Sequence, residues 1–208
     1  MATEDKLAFR FDCGATWLNF LATKGRTFSA APVERLATAG LLAEWLERCE
    51  LSPAQPPDQD DLHQAWTLRE TLRAIALATV EEEPPPATAV ATLAAFVAGH
   101  DDPVRLTAAD RLRREPPATT AHALARIARQ AVDQMTGSDR LALKRCPEDD
   151  CRGVFIDPPG RRRWCPSPAC ASRGRVRALR ARRNAATSGS GSGSGSGSND
   201  DHTPTSAR

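Results

Sequence analysis

Cys146-Pro-Glu-Asp-Asp-Cys151 and Cys165-Pro-Ser-Pro-Ala-Cys170 are two matched Cys-x4-Cys pairs, separated by thirteen residues. Zinc takes four soft or borderline ligands at tetrahedral corners about 2.3 Å away. Two cysteines a few residues apart clasp one edge of that tetrahedron if the chain turns between them. Both intervening stretches are turn-rich, and Gly153 suits a tight knuckle. The spacing therefore assigns Cys146, Cys151, Cys165 and Cys170 as the ligands of one Zn2+. Three other readings compete. Two disulfides are disfavoured in a reducing cytosol. A thiol–disulfide centre needs one close pair, not two matched ones. Four buried structural cysteines would not keep Pro, Arg and Asp as neighbours. Four sulfurs fill the tetrahedron and leave no position for a water, so the site reads as structural. Cys13 and Cys49 stand apart and read as small buried hydrophobes.

Working outward, Val154-Phe155-Ile156 has the character of a strand and Asp157-Pro-Pro-Gly160 of a turn, with Arg163-Trp164 leading back to the metal. The insert between the cysteine pairs thus predicts a β-hairpin. Ala171–Asn184 is rich in Ala, Leu and Arg and predicts a helix with Cys170 at its start, its Val176 and Leu179 packed on the hairpin. Knuckle, hairpin and helix resemble the treble-clef group of zinc fingers. The finger is expected over 141–185.

Residues 1–143 hold 15 Lys/Arg against 20 Asp/Glu, whereas residues 144–183 hold 12 against 4. A basic module on an acidic body predicts a polyanionic partner for the module. Arg161, Arg162 and Arg163 stand on the expected hairpin, and Arg173, Arg175, Arg177, Arg180, Arg182 and Arg183 line the helix. Spacings of four and three put Arg173, Arg177 and Arg180 on one face. Guanidinium groups match phosphate oxygens with paired donors, which makes these nine the candidate nucleic-acid contacts. The competing reading is a solvated basic face.

Residues 1–140 predict a mainly helical domain with one small β-hairpin. Few residues are β-branched, and Ala and Leu dominate. A short helix follows the mixed segment Leu7–Asp12. Thr38 caps a helix to about Cys49, and Asp60 or Asp61 caps a long one to about Glu82. Ala65, Leu68, Leu72, Ile75 and Ala76 form the buried stripe of that long helix, with Arg69, Glu70 and Arg73 off it. Pro84-Pro85-Pro86 stops it. A third helix spans 87–98 with Val90, Leu93, Phe96 and Val97 inward. A hairpin joins Val104–Leu106 to Arg111–Arg113. Thr119 or Thr120 starts a fourth helix, which buries Leu124, Ile127, Ala131 and Met135 and ends on Gly137 as a left-handed residue. Residues 186–208, with an alternating Ser-Gly run, predict a disordered tail. The N-terminus lacks a signal-peptide pattern and no stretch of about 18 apolar residues occurs, so a cytoplasmic location is expected.

Two stretches carry a family resemblance. Arg145-Cys146, Cys151-Arg-Gly-Val-Phe-Ile-Asp157, Arg162-Arg-Trp-Cys165 and Cys170-Ala-Ser-Arg173 resemble the bacterial CGNR-type zinc finger. Its Cys-Gly-Asn-Arg box is here Cys170-Ala171-Ser172-Arg173, which keeps the cysteine and arginine and changes the centre. Trp17-Leu-Asn19, Leu42-Ala-Glu-Trp45-Leu46 and Trp66-Thr-Leu-Arg-Glu70-Thr-Leu72 resemble the helical ABATE domain joined to that finger. The resemblance implies a stress-linked transcription regulator.

Three functions are weighed on this basis. The first is a DNA-binding regulator whose helical domain senses a small-molecule effector or forms a homodimer. The second is a zinc-dependent module for RNA or protein. The third is an enzyme with a site in the helical domain, for which no Ser/His/Asp or phosphate-loop motif speaks. His63, His100 and His122 are scattered. Asn19 and Arg69, polar residues beside Trp17 and Trp66, are the candidate ligand contacts. Their competing reading is that they satisfy each other or a loop backbone.

Overall fold

A computed structural model describes residues 8–108, 110–157 and 160–189. The chain up to Ala171 forms one compact unit, and Ser172 begins a second. The first unit is helical. Its elements are α1 (Thr16–Leu21), α2 (Ala39–Arg48), α3 (Gln59–Glu81), α4 (Ala87–Gly99) and α5 (Thr120–Thr136). Three antiparallel two-stranded ribbons join them. They pair β1 (Lys24–Gly25) with β2 (Val33–Glu34), β3 (Leu106–Ala108) with β4 (Leu112–Arg114), and β5 (Leu143–Arg145) with β6 (Val154–Ile156). The helix α6 (Pro168–Gly189) begins in the first unit and continues into the second.

The helix starts follow local chemistry. Thr38 accepts a hydrogen bond from the Leu41 N–H, and Thr119 from that of His122. The long helix α3 is capped by Asp58, earlier than the expected Asp60 or Asp61. Asp58 accepts from the Asp61 N–H and Asp61 reaches back to the Asp58 N–H, a reciprocal box that needs both carboxylates. Glu82 ends α3 in the left-handed region, with φ of 56°, just before the three prolines.

The helix α3 is central and packs against α1, α2, α4 and α5. Trp17, Phe20, Trp45, Leu62 and Leu72 are fully buried, and Ala123, Ala128 and Ala131 let α5 approach closely. Each large side chain contributes roughly 1.5–3 kcal/mol of apolar transfer. Two expectations change here. Val90 is exposed, and only Leu93 of α4 is fully inside, because α4 lies at the edge of the core. Gly137 is extended, with φ of −83° and ψ of −179°, rather than left-handed. It is needed for space: a Cβ there would meet the Asp133 carbonyl oxygen at 2.8 Å.

The stripe of α3 is also wider than its apolar residues indicate. Arg69 is 1% exposed and Arg73 is buried beside it. Arg69 donates two parallel bonds to Glu34 and one to Thr23, while Arg73 donates to Glu70 and to the Leu21 carbonyl. Carboxylates brought in by β2 and by α3 itself make that burial tolerable.

The tail expected over 186–208 lies mostly outside the described residues, and α6 runs on to Gly189.

Candidate metal centre and basic surfaces

The four-cysteine cluster is built by two turns. In the first, β5 runs into Cys146, the chain turns, and β6 returns. The Cys146 N–H donates to the Gly153 carbonyl, and the Cys151 and Arg152 N–H groups both donate to Glu148 O. Arg152 takes a positive φ of 45° to close this knuckle. A Cβ on Gly153 would sit 3.4 Å from the Cys151 sulfur, so a small residue fits there. In the second turn, the Gly160 N–H donates to Asp157 O, and the Asp157 carboxylate accepts from the Arg162 N–H. Cys165 follows, and Cys170 lies in the first turn of α6.

The hairpin therefore differs from the expected one. Val154–Ile156 pairs with the upstream strand Leu143–Arg145, not with the residues after Gly160. The Leu-Lys-Arg strand is too short to show a pattern of its own. Its pairing is made by the metal knuckle at its end. The Gly160 N–H meets the Asp157 carbonyl, and Arg161–Arg163 follow as irregular chain.

The four sulfurs lie within 4.8 Å of one another, and those of Cys151 and Cys165 are 3.8 Å apart. A tetrahedral ion with bonds of about 2.3 Å sets an edge of ~3.8 Å, so the cluster fits Zn2+. All four cysteines are free of disulfides. Cys146 and Cys170 are buried, and Cys151 and Cys165 half-buried. Hydrogen bonds among the four sulfurs hold the Cys146 thiol below its ordinary value and push Cys151 and Cys165 above theirs, so without a cation the four cannot all ionise together. With four sulfurs present no open position remains, so the cluster's chemistry is structural. Cys13 and Cys49 behave differently. Burial pushes each thiol up to about 12, which keeps both neutral and unreactive.

The surroundings of the cluster are polar and paired. Glu148, buried, accepts from the Trp164 indole at 3.2 Å. Glu81, at the end of α3, holds both Arg152 at 2.7 Å and Arg145 at 3.4 Å. The Ile156 N–H donates to the Cys13 carbonyl. Leu143, Val154 and Phe155 join the same hydrophobic core as Trp17 and Trp45. Sequence reasoning misses these anchors, because each pairs residues far apart in the chain.

Arg161, Arg162 and Arg163 are exposed, with Arg163 5.3 Å from the Trp164 ring centroid. In the second unit, Arg175, Arg177, Arg180, Arg182 and Arg183 are exposed and Arg173 is half-buried. Val176 and Leu179, expected to pack, are 45% and 43% exposed. The helix that carries them is rich in exposed arginines.

The candidate ligand contacts in the helical part have internal partners. Asn19 is buried, and its Oδ1 accepts from the Cys13 N–H at 2.9 Å. Arg69 is held by Glu34, Glu70 and Thr23. The two do not bond each other. Asn19 satisfies a loop backbone, and Trp66 donates to the Leu36 carbonyl.

Comparison with known families adds two matches. The ABATE family model, described as "Putative stress-induced transcription regulator", matches residues 14–138. The CGNR zinc finger model matches residues 142–183. No curated protein matches the chain.

Proposed function

Because the chain belongs to the ABATE family and carries a CGNR zinc finger, we propose that it is a cytoplasmic, DNA-binding transcription regulator. In this reading Cys146, Cys151, Cys165 and Cys170 hold Zn2+ as a structural clamp. Arg161–Arg163 and the arginines of α6 from Arg173 to Arg183 meet phosphates. The helical part receives an effector or a second copy of the chain.

The observation that carries the proposal is the separation of charge roles inside the finger. Lys144, Arg145 and Arg152 are drawn to Asp157 and Glu81, while Arg161–Arg163 are exposed next to the metal. A guanidinium trio fixed by a zinc clamp suits a duplex backbone. Single strands would be bound by exposed aromatic platforms. Here Phe155 is buried in the core, and Trp164 gives its indole N–H to Glu148, which supports duplex over single-stranded partners. Neither matched family is an enzyme family. No described helix is long and apolar enough to cross a membrane.

The test is a gel-shift titration of zinc-loaded protein on random duplex DNA across a salt series. Affinity should fall steeply with salt, by a slope of about 0.9 per neutralised phosphate. No duplex binding at low salt would sink the reading.

A further inference from the structure

The ribbon β3–β4 and α5 border an open groove of about 750 Å³. Four arginines line it, Arg111, Arg113, Arg114 and Arg126, against one lining carboxylate, Glu50. A second groove of about 630 Å³ shares Arg114 and Arg126 and adds Arg129. Volumes of this size suit a small organic ligand.

The arginines are not equivalent. Arg126 is fully engaged: its Nε and Nη2 meet the Asp102 carboxylate at 2.6 and 3.1 Å, and its Nη1 the Glu115 carbonyl at 2.8 Å. It fixes the wall. Arg114 shares Asp102 at 2.7 Å. One carboxylate thus serves two guanidinium groups, and burial with the neighbouring Arg126 charge lowers the Arg114 value. In the second groove, the Nη1 of Arg129 is buried without a hydrogen-bond partner among the described residues.

Among the described residues, Arg111 and Arg113 are held only by exposed pairs. Arg111 meets Glu50 at 3.2 Å, and Arg113 donates to both carboxylate oxygens of Asp110 within the ribbon, at 3.0–3.1 Å. Exposed pairs of this kind contribute little and exchange readily. Four guanidinium groups share three carboxylates, Glu50, Asp110 and Asp102, which leaves a positive excess, and the exposed pairs of Arg111 and Arg113 can exchange for an entering anion. Leu112 and Ile127 give the groove an apolar side.

We propose that this groove binds a small organic anion, a carboxylate or phosphate monoester with an apolar body, gripped by Arg111 and Arg113 beside Arg114. The proposal deepens the effector part of the function above and rests on it only for its biological meaning.

The test follows thermal unfolding of the full zinc-loaded chain with phenyl phosphate, inorganic phosphate as the smaller probe, and no DNA present. Phenyl phosphate should raise the midpoint saturably, by about 5 °C at roughly a hundredfold excess over its Kd, and should act at lower concentration than inorganic phosphate. The R111Q/R113Q variant should lose this shift. R161Q/R162Q/R163Q should keep it. A shift that survives in R111Q/R113Q overturns the proposal, as does the absence of a saturable shift with either probe. Failure of DNA binding in the gel shift leaves this measurement untouched, so the two readings fail separately.

Discussion

Arg69 and Arg162 are the same residue in opposite settings. Arg69 lies in the middle of α3, 1% exposed, and Glu34 arrives from a distant strand to meet it. Arg162 follows a turn beside the metal, and its side chain is exposed, while its backbone N–H is held by Asp157. A guanidinium is structural where the fold buries it against a carboxylate, and it stays open to exchange where it is exposed. Arg145 and Arg152 show the same rule within the finger itself: both are drawn to Glu81 at the end of α3. The basic character of a segment therefore overstates its binding surface wherever its arginines hold carboxylates that are themselves largely buried, as Glu81 is.

The largest test of this contrast is loss of the metal. Cys165→Ser should abolish zinc binding and unfold the β5–β6 ribbon. Because Leu143, Val154 and Phe155 lie in the common core, the helical part should lose stability with it, by several kcal/mol. Metal content and the far-UV melting curve report both. An unchanged helical melt after zinc loss would show the finger to be energetically independent.

Next is Arg69→Met. It leaves Glu34 facing a buried site without its partner, at a cost of about 3 kcal/mol, which R69M/E34Q should partly restore. Chemical denaturation measures both. Equal stability of wild type and R69M would erase the distinction between the two arginine classes.

A smaller effect is expected from Glu81→Gln. The pairs it breaks are partly exposed, so the loss is about 1 kcal/mol. The same change releases Arg145 and Arg152, and the salt dependence of DNA binding should steepen. An unchanged slope would mean that neither side chain reaches a phosphate.

The smallest stability effect belongs to R161Q/R162Q/R163Q, within about 0.5 kcal/mol. Its binding effect should be the opposite: the salt slope should drop by about 0.9 for each phosphate no longer neutralised. A destabilisation comparable to that of R69M would move these residues into the structural class.

Much of this molecule is legible in one dimension. The caps at Thr38 and Thr119, the stop at Pro84–Pro86 and the periodicity of α5 are local events, set by side chains within a few residues of the backbone they control. The cysteine spacing is legible for the same reason, since each pair must close its own turn. The partner of β6 is not legible, because strand pairing is non-local and Leu143–Arg145 offers only three residues of pattern. Arg69 and Arg73 read as lying off the buried stripe of α3, because charge alone says nothing about the carboxylate that meets Arg69 from thirty-five residues upstream. Val176 and Leu179 read as packed, because apolar residues at helical spacing imply a surface to meet, yet they are exposed.

The sequence by itself determined a helical body, a four-sulfur zinc clamp and a basic segment around it. Those depend on backbone propensity, ligand chemistry and composition, which are properties of short stretches of chain. Only the tertiary structure decided that the finger's strands share the core of the helices, which arginines are neutralised, and that Arg111, Arg113 and Arg114 converge on one groove. Each of those depends on distance in space, and a carboxylate or an apolar wall acts over a few ångströms, however far away it lies along the chain.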